Sequence, residues 1–247
     1  SAASDVYKRQ ECDCKNVTTI RLMAENLGQL HSSLQNFYEE PVLLQQPLLS
    51  RYDKHNREMK HVYGYMRGKK KKTEFERYAM QCFPNFYERA MQVRSQLSEN
   101  LYYKEHSGQT KDVCHGEYNY HNLLLTKSGL ATTNFEHAAP GVQLLDMAYF
   151  MRKVMEKNKW QVEKGVVLWN GYCEGAGCSK KELEFLITIL SYPIKYWKLL
   201  NQYINSKKTW ISNKSMEKLK AVCEQEESKD KFLQQMRTFT LGTSQKA

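Results

Sequence analysis

Cys114-His115-Gly116-Glu117-Tyr118-Asn119-Tyr120-His121-Asn122 is the stretch on which the reading of the fold turns. A carboxylate at 117 and an amide at 122 stand just before a short apolar run, Leu123-Leu124-Leu125. That run, a Lys127-Ser128-Gly129 turn and Leu130-Ala131-Thr132-Thr133-Asn134-Phe135 together predict a β-hairpin. The hairpin returns at Asn134-Phe135-Glu136. Phosphoryl transfer asks little of a protein: a carboxylate to accept the proton of the attacking hydroxyl, and oxygen ligands to hold Mg²⁺ against the phosphates. Glu117 has the position of such a base. Asn122, Asn134 and Glu136 have the order of metal ligands. His115 reads first as a brace for the loop and second as a proton shuttle. Tyr118 and Tyr120 flank the loop as candidate pocket walls.

On either side of this insert the pattern is helical. Ile20, Met23, Leu27, Leu30, Leu34 and Phe37 recur at three- and four-residue steps, with Asn16 as the cap. His31 on that apolar face reads as a satisfied core histidine. Pro41 and Pro47 mark a loop, and helices follow over about 50–66 and 74–98, with Pro84 a kink or boundary in the second. Beyond the insert, helices are expected at about 143–157, 161–173, 179–191, 194–206 and 213–237. Ser179 with Glu182 forms a capping box, and Pro193 separates two of these helices. Trp160, Trp197 and Trp210 read as packing anchors. No internal repeat and no flexible linker interrupts the pattern.

Composition narrows the function classes. With 16 Tyr, 9 Phe and 4 Trp the chain has the material for a core, which excludes a disordered protein. Twelve Gly and five Pro are too few for an all-β sandwich in 247 residues. No apolar run approaches the length of a membrane span, so no membrane partner is expected. The net charge of +10 permits anionic partners. Its densest run, Arg67-Gly68-Lys69-Lys70-Lys71-Lys72, reads as a solvated loop, because no base-stacking aromatics interleave with it. Nucleic acid is therefore not an expected partner. Seven cysteines with no C-x-x-C pair suggest neither a zinc ribbon nor a disulfide framework, and read as reduced thiols. Cys12 and Cys14 alone make no metal site.

The loop resembles the H-G-D-x-x-x-x-N catalytic loop of aminoglycoside phosphotransferase-like and choline kinase-like enzymes, relatives of the protein kinases. Asn134-Phe135-Glu136 resembles their D-F-D metal motif, and Gln143-Leu-Leu-Asp146-Met-Ala-Tyr-Phe150-Met-Arg152 their D-L-A-x-F-L-R helix. A narrower resemblance, to CotS-type spore coat proteins, rests on Glu11-Cys-Asp-Cys-Lys-Asn16, Leu27-Gly-Gln-Leu-His31, Tyr196-Trp197 and Asn205-Ser-Lys-Lys-Thr-Trp210. It implies a mainly α (α+β) fold, the large C-terminal lobe of a kinase-like protein over residues 11–240, with 241–247 as a tail. Ser1–Gln10 resembles a translated sequencing-library adaptor and is expected to lie outside the fold. The small lobe is expected to be missing, since no G-x-G-x-x-G or β-rich segment precedes the first helix.

The resemblance further implies ATP and Mg²⁺ as cofactors, with Asn122 and Asn134 on the cofactor and Asn122, Asn134 and Glu136 on the metal. It implies Asp146 as the structural brace of the loop, other spore coat proteins as partners, and a location in the mother-cell cytoplasm and the spore coat. Two departures from the pattern matter. Glu117 stands where the enzymes have Asp, and Asn134 replaces a metal-binding Asp with a neutral amide. Mg²⁺ binds through carboxylates and phosphates, so the second change weakens the site more. The expected role is structural or regulatory, with a degenerate phosphotransferase site. The alternative is an active phosphotransferase acting on a small-molecule hydroxyl.

Overall fold

The computed structural model describes residues 12–45, 47–126, 129–206 and 213–243. In chain order they form α1 (Val17–Ser33), β1 (Val42–Leu43), α2 (Leu48–Gly68), α3 (Glu74–Glu99), α4 (Leu101–His106), β2 (Gln109–Thr110), β3 (Val113–Cys114), β4 (Leu123–Thr126), β5 (Gly129–Thr132), β6 (Ala139–Pro140), α5 (Leu144–Lys157), α6 (Val162–Ala176), α7 (Lys180–Ser191), α8 (Ile194–Asn205), α9 (Asn213–Glu224) and α10 (Glu226–Thr243). Two 3₁₀ turns, Tyr120–Asn122 and Phe135–His137, bracket the β4–β5 hairpin. Among the described residues no helix is long and apolar enough to cross a membrane.

The chain divides into two compact units, one of residues 1–43 and 109–182, the other of 44–108 and 183–247. In the first, α1 lies against α6. Asn16 caps α1 by accepting from the Thr19 amide at 3.0 Å, and Ile20, Met23, Ala24 and Leu27 are buried. Glycines set how close the two helices come. A Cβ on Gly28 would fall on the Tyr172 carbonyl oxygen and 2.9 Å from the Ala176 nitrogen; one on Gly171 would lie 2.8 Å from the Arg21 carbonyl oxygen. The strands are short antiparallel pairs, β1 with β2, β3 with β6 and β4 with β5. In the last, Leu123 faces Thr132 and Thr126 faces Gly129.

The apolar face of α1 ends sooner than its sequence suggests. Leu34 caps the helix and Asn36 takes a φ of 51°, so Phe37 is carried out to solvent. The seven-thiol reading also needs correction, since Cys173 and Cys178 form a disulfide. The cause is local: α6 stops at Ala176, and Gly177, at φ 70°, turns the chain back towards Cys173.

In the second unit α3 runs unbroken through Pro84. Phe75, Ala79, Phe83, Phe86, Ala90, Val93 and Leu97 bury one continuous face on both sides of the proline. Pro84 itself faces solvent, where water can bond the carbonyl it leaves unpaired. The helix expected over 213–237 is instead two, α9 and α10, separated at Gln225. The basic run lies at the end of α2 and in the loop beyond it. There Lys69 Nζ meets the buried Glu76 at 2.5 Å and Lys72 Nζ donates to the Lys69 carbonyl at 2.7 Å. Lys70 and Lys71 are exposed. The expected Lys127–Ser128 turn residues, Trp210, Ser1–Gln10 and residues 244–247 of the tail lie outside the described residues.

An aromatic stack joins α2 to α8 and to the residue before Pro193. Tyr52 stacks on Tyr192 with centroids 3.7 Å apart, and His55 stacks on Trp197 at 3.6 Å. Trp197 Nε1 donates to Glu58 Oε2 at 2.7 Å. His55 Nδ1 is buried without a hydrogen-bond partner, and burial pushes the ring's pKa from 6.5 down to about 4. The unfolded chain therefore binds this proton more tightly than the folded one. The stability held by neutral His55 is complete above pH 6.5 and is lost as pH falls towards 4. After solvent screening it amounts to about 1–2 kcal/mol. Thermal melts of His55→Phe should lose less stability between these pH values than wild-type melts do; equal losses would refute the assignment.

Candidate active site

Asp146, in the first turn of α5, is the anchor of the loop. It is buried, and its Oδ2 accepts the His115 amide at 2.7 Å while Oδ1 accepts the Gly116 amide at 3.1 Å. Behind it His31 Nε2 lies 3.4 Å from Oδ2, and His31 Nδ1 lies 2.9 Å from the Tyr172 hydroxyl. With Nε2 donating to the carboxylate, Nδ1 accepts from Tyr172, so both ring nitrogens are used. Gln143 Nε2 donates to the His31 carbonyl at 2.9 Å and to the Val113 carbonyl at 3.0 Å, tying α1 to the strand that leads into the loop.

His115 is fully buried, and both of its nitrogens are committed. The Glu117 amide donates to Nδ1 at 3.2 Å, so the ring proton sits on Nε2, which donates to the Thr133 carbonyl at 3.0 Å. Its geometry is that of a brace between the loop and the hairpin end. Gly116 is at φ 80°, and a Cβ there would fall on the His137 carbonyl oxygen, so only glycine lets these two backbones meet.

Glu117 is half exposed, and its Oε2 lies 3.5 Å from Nε2 of His137. Its carbonyl accepts from Asn119 Nδ2 and from Asn122 Nδ2, both at 2.9 Å. The Asn122 amide thus closes the six-residue loop from Glu117 on itself, which leaves Oδ1 as its acceptor. The Asn122 carbonyl accepts from the Thr133 amide at 2.9 Å and the Thr133 hydroxyl at 3.1 Å, so the hairpin end is sewn to the loop.

Asn134 follows at φ 63°, ψ 65°, a left-handed conformation that Asn and Asp tolerate better than most side chains. It and Glu136 are exposed. The structure brings their backbone to the loop through Thr133 and His137. Among the described residues no hydrogen bond or ion pair joins their side chains to Glu117 or Asn122. Among the described residues no group of three or more His, Cys, Asp or Glu is placed to hold a metal ion.

Tyr118 is no pocket wall. It is fully buried, and its hydroxyl donates to the Met23 carbonyl at 2.6 Å and lies 2.9 Å from Asn26 Oδ1. Burial raises that hydroxyl well above its ordinary range, so it remains a donor. Tyr120 is largely buried too, with Lys157 Nζ 3.9 Å from the centre of its ring. Sequence reasoning missed His137, Thr133, Gln143 and Tyr172. Only Gln143 carries a signal, a polar residue three places before Asp146 at the start of the helix. The other three contacts arise from the fold.

A family model described as "Spore coat putative kinase YutH" matches residues 11–236. The chain belongs to that family. This spore coat putative kinase YutH family is the kinase-like spore coat class to which the CotS-type resemblance pointed. The fold agrees. An aminoglycoside phosphotransferase from Alicyclobacillus acidocaldarius subsp. acidocaldarius superposes with a TM-score of 0.81 at 17% identity, over 95% of this chain and 70% of that one. An ethanolamine kinase from Plasmodium vivax aligns with a TM-score of 0.47 at 17% identity, over 88% of this chain and 62% of that one. No curated protein sequence matches the chain. For this YutH-family chain the mainly helical, kinase-like fold expected from the sequence is the fold observed.

Proposed function

We propose that this chain is a structural or regulatory component of the spore coat, keeping a kinase-like loop frame around a site unfit for phosphoryl transfer. The family description supports the coat assignment; other coat proteins as partners and assembly from the mother-cell cytoplasm belong to this proposal. Residues 11–240 are the kinase-like large lobe in this reading. The degenerate site rests on one observation: the frame is built while its ligands are not. Asp146, His115 and Asn122 hold the loop closed, but the donor set offers a single carboxylate, Glu136, beside two neutral amides, Asn122 and Asn134. Mg²⁺ sheds its water reluctantly and binds through carboxylates together with substrate phosphates. The residues present do not fit a Mg²⁺–ATP site.

Isothermal titration of Mg²⁺–ATP into the full-length protein, small lobe included, should give no Mg²⁺-dependent binding in the micromolar range. Binding there, with ATP turnover that Glu117→Ala and Asn122→Ala each abolish, would instead establish the active phosphotransferase with Glu117 as base. A gain-of-ligand test is sharper. Asn134→Asp keeps a residue type suited to the left-handed backbone and adds a second carboxylate. Mn²⁺ binding followed by electron paramagnetic resonance should tighten roughly tenfold or more in this variant, since ligand charge sets affinity at such sites. Unchanged Mn²⁺ affinity would mean that position 134 does not face a metal.

A further inference from the structure

Cys82 on α3 and Cys223 on α9 stand 141 residues apart in sequence, yet their sulfurs lie 3.0 Å from each other. That is closer than two unbonded sulfur atoms rest. Both residues belong to the second unit and neither is fully buried. They line a cavity of about 570 Å³ together with Phe86, Arg89, Glu226 and Asp230. Arg89 on α3 bridges to Glu226 at 2.6 Å and Asp230 at 2.7 Å on α10, holding the walls of this cavity in register. Cys14 and Cys114, by contrast, are buried.

We propose that Cys82 and Cys223 are an oxidisable dithiol whose disulfide staples α9 to α3. With a peroxide as oxidant the step balances. One sulfur attacks a peroxide oxygen, the O–O bond breaks, water leaves and that cysteine becomes a sulfenic acid. The second sulfur then attacks the first, the S–O bond breaks, the S–S bond forms and a second water leaves. Two electrons pass from the sulfurs to the peroxide, and the two thiol protons leave in the two waters. Proximity makes the second attack effectively unimolecular, which favours it over further oxidation of the sulfenic acid. A cross-link that closes so long a loop removes much of the freedom of the unfolded chain. The proposal does not depend on the reading of Glu117 or Asn134.

The test treats the whole chain with a small excess of hydrogen peroxide, blocks the remaining thiols by alkylation and maps peptides without reduction. The expected product joins the Cys82 and Cys223 peptides. The melting temperature should rise by about 10 °C, and the rise should be absent in Cys82→Ser and in Cys223→Ser. Full alkylation of both cysteines after peroxide, a sulfinic acid at either, or a cross-link from either to a third cysteine would overturn the proposal. A Cys82–Cys223 cross-link with no rise in melting temperature would overturn the stapling role. The mapping uses the wild-type protein, so it stands even if a variant fails to fold.

Discussion

Replacing Asp146 with Ala should cost about 3–5 kcal/mol of stability, because it strips several buried donors of one acceptor. The His115 and Gly116 amides both end on this carboxylate, and His31 Nε2 faces the same oxygen as the His115 amide. The buried loop interior offers little water to replace it. For a chain of this size the loss corresponds to a fall of roughly 10 °C or more in melting temperature. Asp146→Asn keeps one acceptor oxygen but turns an NH₂ group towards donors, so about half of the loss should remain. Melts of the two variants, with limited proteolysis at the 114–122 loop, check this directly. A change below about 1 kcal/mol in Asp146→Ala would show that the loop holds its shape without the brace.

Gly28→Ala should also destabilise the protein, by about 2–3 kcal/mol net. The three atoms nearest the added Cβ are all backbone of α6: the Tyr172 carbonyl oxygen, the Ala176 nitrogen at 2.9 Å and the Gly175 Cα at 3.0 Å. Backbone cannot rotate away as a side chain can, so α1 and α6 must separate. Gly175 makes the same demand from the other side, where a Cβ would lie 2.5 Å from the Gln29 nitrogen. The higher helix propensity of alanine offsets part of the cost. Gly64→Ala supplies the control, since a Cβ at that position on α2 meets nothing within 4 Å. It should stabilise the protein by about 0.5–1 kcal/mol through propensity alone. Chemical denaturation of both variants gives the two signs. A neutral Gly28→Ala would mean that the helices can part without penalty. The separation should also lengthen the contact between His31 and Tyr172, so this variant weakens the support of Asp146 from behind.

The sequence carries the helices well where one face stays apolar over many turns, as in α1, α3 and α5. It carries the insert through the short apolar runs and the order of Glu117, Asn122, Asn134, Glu136 and Asp146. It does not carry pairings that depend on residues far apart. The two-residue ladders β1–β2 and β3–β6 are too short for any period to show. The close approach at Gly28 is invisible without its partner helix, and so is the approach of Cys82 to Cys223. Pro84 misleads because its breaking tendency is local, whereas the buried face of α3 that overrides it is tertiary. At Gln225, where α9 gives way to α10, no glycine or proline marks the change, and no residue there explains it. Around the loop, the motif order locates the backbone. The use of both His115 nitrogens and the pairing of Glu117 with His137 are three-dimensional facts that spacing does not encode.

The seating of α1 on α6 also has a consequence in time. His31 and Tyr172 are 141 residues apart in sequence, so the ribosome needs about 7–30 s to supply the second after the first. Throughout that interval the face bearing Ile20, Met23 and Leu27 has no α6 to cover it, while α2, α3 and α4 emerge in between. Helix α1 is thus made long before the helix that covers it. A nascent chain of this design is most exposed to aggregation, and most dependent on chaperones, before residue 176 leaves the exit tunnel.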